Sequence, residues 1–135
     1  MEEKIEKMEE KIEKLKKDYL ISFKTTYGLS LMPGKSEYIV TKDKKLYAFE
    51  MHHFITPFME KHHIPKESVN EYDLTEEQYN ELEKFIEENI RGKVFEPVFI
   101  YDASYSVTGL DFSVHNYTDL YNKGFEIIKR IIHKK

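Results

Sequence analysis

Apolar residues recur along this chain with two different periods, and the switches between them divide it into elements. Ile5, Met8, Ile12, Leu15 and Tyr19 are separated by alternating steps of three and four. That spacing keeps side chains on one stripe of a helix and is the a/d seam of a heptad pattern. The segment is a near-tandem repeat, EEKIEKM over residues 2–8 and EEKIEKL over residues 9–15. Isoleucine at a with leucine or methionine at d suits a parallel dimer. Residues 1–19 are therefore expected to form an amphipathic, coiled-coil-like helix that oligomerises the chain, most simply as a homodimer. The flanking charges divide: in a parallel pair Lys4 would face Glu9 favourably and Lys11 would face Lys16 unfavourably. The repeat also covers two heptads, where a secure coiled coil needs roughly three or four. A stripe of this kind equally fits a face of the chain's own sheet.

Period two then takes over. In residues 20–26, Ile21 and Phe23 alternate with Ser22 and Lys24, which predicts a half-buried strand. Tyr27-Gly28 and Pro33-Gly34 punctuate a loop. Residues 37–41 and 46–51 read as a hairpin joined through Lys42, Asp43, Lys44 and Lys45. Pro57 suits the first position of a short helix carrying Phe58, Met59, His62 and His63, and Pro65 stops it.

Thr75 and Gln78 have the spacing of a capping box, with Leu74 and Tyr79 placed to staple it. The helix they open is expected to run to about Ile90, bury Tyr79, Leu82, Phe85, Ile86 and Ile90, and end at Gly92. Residues 95–101 are strongly apolar apart from Glu96 and predict a central strand. Residues 105–107 and 110–114 alternate around Thr108-Gly109 and suggest a second hairpin. Thr118 would cap a last helix, 119–133, whose stripe is Leu120, Phe125, Ile128, Ile131 and Ile132. The sum is an α+β domain over residues 20–135. It has a mainly antiparallel sheet of five to six strands with two main helices on one face.

Composition narrows the classes. The chain has no cysteine, which removes disulfide frameworks, thiolate catalysis and cysteine-ligated zinc. A net charge of −4 argues against sequence-independent nucleic-acid binding, which requires a basic face. The basic run at Lys129, Arg130, Lys134 and Lys135 ends a helix, where cations complement the dipole. No stretch reaches the ~18 consecutive apolar residues of a membrane span, and no signal-like segment opens the chain, so the expected address is cytoplasmic.

Candidate chemistry is sparse. Pro33-Gly34-Lys35-Ser36 has the residues that end a phosphate-binding loop, but Gly28 stands one residue too far away and a strand follows, which predicts a turn instead. Asp102, Ser104 and His115 are the residue types of a hydrolase triad, yet no nucleophile elbow surrounds Ser104. Four histidines fall in two pairs, His52-His53 and His62-His63, with Glu50 and Glu60 nearby. Glu60 and His63 share a helical face at a spacing of three. His52, His53, His62, His63 and Glu60 are the candidate ligands if a divalent metal is bound. Ten tyrosines exceed what a small core needs. Tyr38, Tyr47 and Tyr105 are the candidate partner-binding residues, because an exposed tyrosine offers area and a hydroxyl at low entropic cost.

The expectation that follows is a non-enzymatic binding or regulatory module, inhibitory in one form. It would have no cofactor and no catalytic residue, and would bind an unidentified protein partner rather than nucleic acid or membrane. A metal-dependent enzyme or sensor at the histidine pairs is the alternative.

Overall fold

The computed structural model describes residues 2–27, 34–52, 57–63, 67–95 and 103–133, without the side chains of residues 2–8, 27, 58, 59 and 103. In chain order the elements are α1 (Glu2–Leu15), β1 (Tyr19–Tyr27), β2 (Gly34–Thr41), β3 (Lys45–His52), α2 (Pro57–Lys61), β4 (Glu67–Asp73), α3 (Glu76–Asn89), β5 (Ala103–Thr108), β6 (Ser113–His115) and α4 (Thr118–His133). The six strands form one sheet in the order β4-β3-β2-β1-β5-β6, and every neighbouring pair is antiparallel. This is the α+β, antiparallel arrangement expected from the hairpin-rich pattern.

Alternation of side chains gives the sheet two faces with different occupants. On the first face Ile21, Phe23, Val40, Leu46, Val107 and Val114 join the stripes of α3 and α4 in the main core. Every residue expected on the buried stripe of α3 belongs to this core, with Tyr79 only partly buried. The capping box is present. The Gln78 amide donates to Thr75 Oγ1 at 3.1 Å, and the Thr75 amide donates to Gln78 Oε1 at 2.8 Å. Gly92 adopts a φ of 71°, the left-handed conformation that releases the chain from the helix.

On the second face Ile39, Phe49 and Met51 pack with Ile12 and Tyr19, and Leu15 and Tyr47 lie against the same cluster. The structure does not support the expected coiled coil. Ile12 and Leu15 of α1 pack on the chain's own sheet, the helix ends at Leu15 so that Tyr19 is the first residue of β1 rather than part of it, and the side chains of Ile5 and Met8 lie outside the described residues. The physical reason is that β2 and β3 carry an apolar strip that also needs cover, and tethering brings α1 to it without the entropic cost of association. Charge fixes the docking. Glu37, 4% exposed, accepts from Ser22 Oγ at 2.7 Å and is paired with Lys16 at the end of α1. Lys35 reaches Glu9 at 3.3 Å, and Lys11 stands 5.5 Å over the Tyr47 ring.

Other boundaries shift. β2 starts at Gly34, so Gly34, Lys35 and Ser36 are strand residues rather than a turn. β4 was not expected. It is a polar edge strand with Glu67, Glu71 and Asp73 on one face, and edge strands carry charge because one side of their backbone lacks a neighbour. Thr118 is the first residue of α4, not its cap; the Tyr121 amide donates to the Tyr117 carbonyl at 2.9 Å, which puts Tyr117 at the capping position. The strand expected over residues 95–101 falls outside the described residues from 96 onward, and the sheet centre is formed by β1 and β2. Among the described residues no helix is long and apolar enough to cross a membrane.

Candidate functional site

The first face of the sheet is longer than the helices that cover it. α4 presses closest at Gly124, where an added Cβ would come within 2.6 Å of the Phe23 ring and 2.8 Å of the Phe85 ring. Beyond that contact the strands continue as a polar row, with Tyr105 paired across to Thr25, Thr25 to Ser36 and Ser36 to Glu50. Between α4 and this row lies a cleft of about 760 Å³. Its size is within the ~300–1,000 Å³ of small-molecule sites.

The floor is the row Tyr105, Thr25, Ser36 and Glu50, with Gly34 and His52 paired at the next step towards the open end. The wall is α4, through Tyr121, Asn122, Phe125 and Lys129, and Tyr38 closes one side. Four rings run continuously through this lining. Tyr121 stacks on Phe125 at 5.5 Å between centroids, and Tyr38 meets Phe125 and Tyr105 meets Tyr121 edge-on, both at 5.1 Å. Such contacts hold rings in fixed orientations. The Thr25 and Tyr121 hydroxyls share a hydrogen bond of 2.6 Å that joins floor to wall in a buried setting. The Tyr38 hydroxyl donates to Glu50 Oε1 at 3.3 Å. Lys129 Nζ lies 5.9 Å from the Phe125 centroid and 3.5 Å from Glu126.

The cleft gathers two of the three tyrosines singled out by sequence, Tyr38 and Tyr105, and one of the metal candidates, His52. Tyr47 is elsewhere. It packs on the second face beneath α1, and burial, followed by the nearby Glu71 carboxylate, raises its phenol above the ordinary value. His62 and His63 are exposed just after α2, Glu60 is exposed within it, and His53 lies outside the described residues. Among the described residues no three metal-ligating side chains stand around a common point. Asp102 lies outside the described residues and Ser104 is exposed. His115 contacts Ser106 through Nδ1 at 2.9 Å and Ser113 through Nε2 at 2.7 Å, on the sheet face opposite the cleft.

Sequence reasoning did not find Thr25, Ser36, Glu50, Asn122 or Lys129 as cleft residues. Thr25 and Ser36 had a readable signal, since each stands where strand alternation demands an apolar residue on the covered face. Asn122 and Lys129 are polar residues on an amphipathic helix and carry none. Comparison with family models, with curated proteins and with solved structures found no match to this chain.

Proposed function

We propose that this chain is a small non-enzymatic binding module whose ligand is an organic molecule held in the cleft between α4 and the sheet. The observation that carries this reading is the cleft itself: an aromatic wall on one helix faces a polar floor on four strands. Ligand sites have this make-up, a mostly apolar enclosure with a few placed polar groups that set orientation. A binding role rather than catalysis is supported by the pairing of the floor hydroxyls. Among the described residues, neither Thr25 nor Ser36 is hydrogen-bonded to a histidine or carboxylate, and Thr25 is bonded to Tyr121. A regulatory role follows from the placement, because a ligand touching both α4 and β1, β2, β3 and β5 would stabilise their mutual packing.

A thermal-shift survey of small metabolites tests this. A ligand at about a hundredfold over its dissociation constant adds roughly 2.7 kcal/mol to stability. A dose-dependent rise in melting temperature is expected from at least one compound class. It should vanish in Ser36→Phe, which fills the floor of the cleft from a strand position that tolerates an aromatic residue. Shifts of equal size in this variant would place the ligand elsewhere and overturn the reading.

A further inference from the structure

The charges and rings of the cleft specify more than its size does. Glu50 reaches it from β3 with an exposed carboxylate whose hydrogen-bond donor is the Tyr38 hydroxyl, at 3.3 Å. Among the described residues no cation is paired with that carboxylate. Lys129, the ammonium on the opposite wall, has its own counter-charge in Glu126 one helical turn away. Lys35, the other lysine of the lining, is paired with Glu9 at 3.3 Å, so among the described lining residues Glu50 is the charged group without an opposite charge beside it.

The rings reinforce this sign. An aromatic face carries the negative lobe of the ring quadrupole and attracts cations within about 6 Å of its centroid. The protein already uses its wall in this way, with Lys129 Nζ at 5.9 Å over Phe125. A carboxylate and an aromatic wall facing one space form a receptor for a positively charged group attached to an apolar body. An anion would meet Glu50 and the ring faces, both unfavourable, and would have to draw Lys129 away from Glu126 to gain a counter-charge. A neutral molecule would gain the apolar contact and leave the carboxylate unanswered.

We infer that the cleft binds an organic ammonium ion, its charged group between Glu50 and the Tyr38 and Phe125 rings and its apolar body along Tyr121 and Tyr105. This rests on the reading of the cleft as a ligand site. It adds the chemical class of the ligand and assigns Glu50 as the specificity-determining residue.

Titration of the isotope-labelled full chain with three probes of similar bulk, followed by amide chemical shifts, tests the inference. These are benzyltrimethylammonium, benzyl alcohol and 3-phenylpropionate. The ammonium ion is expected to shift amides of Thr25, Ser36, Glu50 and Asn122 and to bind at least about tenfold more tightly than the alcohol, with the carboxylate weakest. That is the size of a charge pair with Glu50 added to a weak, solvent-exposed cation–π contact. In Glu50→Gln that preference should fall to within about twofold of the alcohol, whereas Lys129→Gln should keep it. Tyr38→Phe, which removes only the hydroxyl on Glu50, should reduce it partially.

Equal or tighter binding of the alcohol or carboxylate, or an undiminished preference in Glu50→Gln, would overturn the ammonium inference. The cleft would then still stand as the site. Shifts confined to residues outside the cleft, or absent for all three probes at millimolar concentration, would overturn the inference together with the reading beneath it.

Discussion

Single residues decide how closely the helices approach the sheet. Gly124 is the clearest case, because a methyl there would meet Phe23 and Phe85 at distances well inside van der Waals contact. Gly124→Ala would normally favour a helix, so a loss of stability isolates the packing effect. The expected loss is about 1–3 kcal/mol, the range for overpacking a filled core, read as a lower urea midpoint at constant slope. Arg91 and Asp111 give a residue-scale pH effect. Arg91 hydrogen-bonds the Asp111 carboxylate at 2.5 Å, joining the end of α3 to the β5–β6 turn, and this bond holds the carboxyl below its ordinary value of 3.8. A carboxyl depressed on folding contributes stability above its unfolded value and loses it as pH falls through the lower folded one. Arg91→Gln should therefore narrow the stability difference from wild type in acid titrations below about pH 4, with a constant deficit at neutral pH. Equal deficits at all pH values would show that the pair is energetically silent.

Elements whose signal is local were legible in the sequence. The capping box at Thr75 is an arrangement of neighbours, and both of its hydrogen bonds are made. The hairpin through Lys42–Lys45 and the start of the short helix at Pro57 were equally readable, since turn chemistry and a fixed φ act within a few residues, but α2 ends at Lys61 and leaves His62 and His63 outside the helix expected to carry them. β4 was not, because an edge strand needs neither an apolar run nor alternation to pair with β3. The partner of α1 was not legible for a different reason: an a/d stripe states that a helix buries one face and leaves open what covers it. Ile12 and Tyr19 are covered by Ile39, Phe49 and Met51 of the same chain. Removal of residues 1–17 then uncovers that strip and should cost about 3 kcal/mol, counting two aliphatic side chains at the lower end of burial energies. The shortened chain should also bind more hydrophobic dye and give a larger mass by light scattering. A leader serving only to join two chains would give the opposite, a smaller mass at unchanged stability.

At the scale of the whole molecule, the sheet has one face closed by two helices and the other partly closed by α1. The cleft arises where α4 and the strands part company. Its tyrosines could be named from the sequence as surplus to the core, which gave Tyr38 and Tyr105. Their convergence required the cross-strand register, because Thr25, Ser36 and Glu50 become one row only when β1, β2 and β3 are aligned. The histidine pairs illustrate the converse. His52 lines the cleft from the end of β3, whereas His62 and His63 are exposed just after α2.

Amide chemical-shift mapping, with a compound selected for its thermal stabilisation, tests the central claim most directly. Changes centred on Thr25, Ser36, Glu50, Tyr105 and the stretch of α4 from Tyr121 to Lys129 are the result expected if the cleft is the site. Changes centred on Ser106, Ser113 and His115, on the opposite face of the sheet, would contradict it.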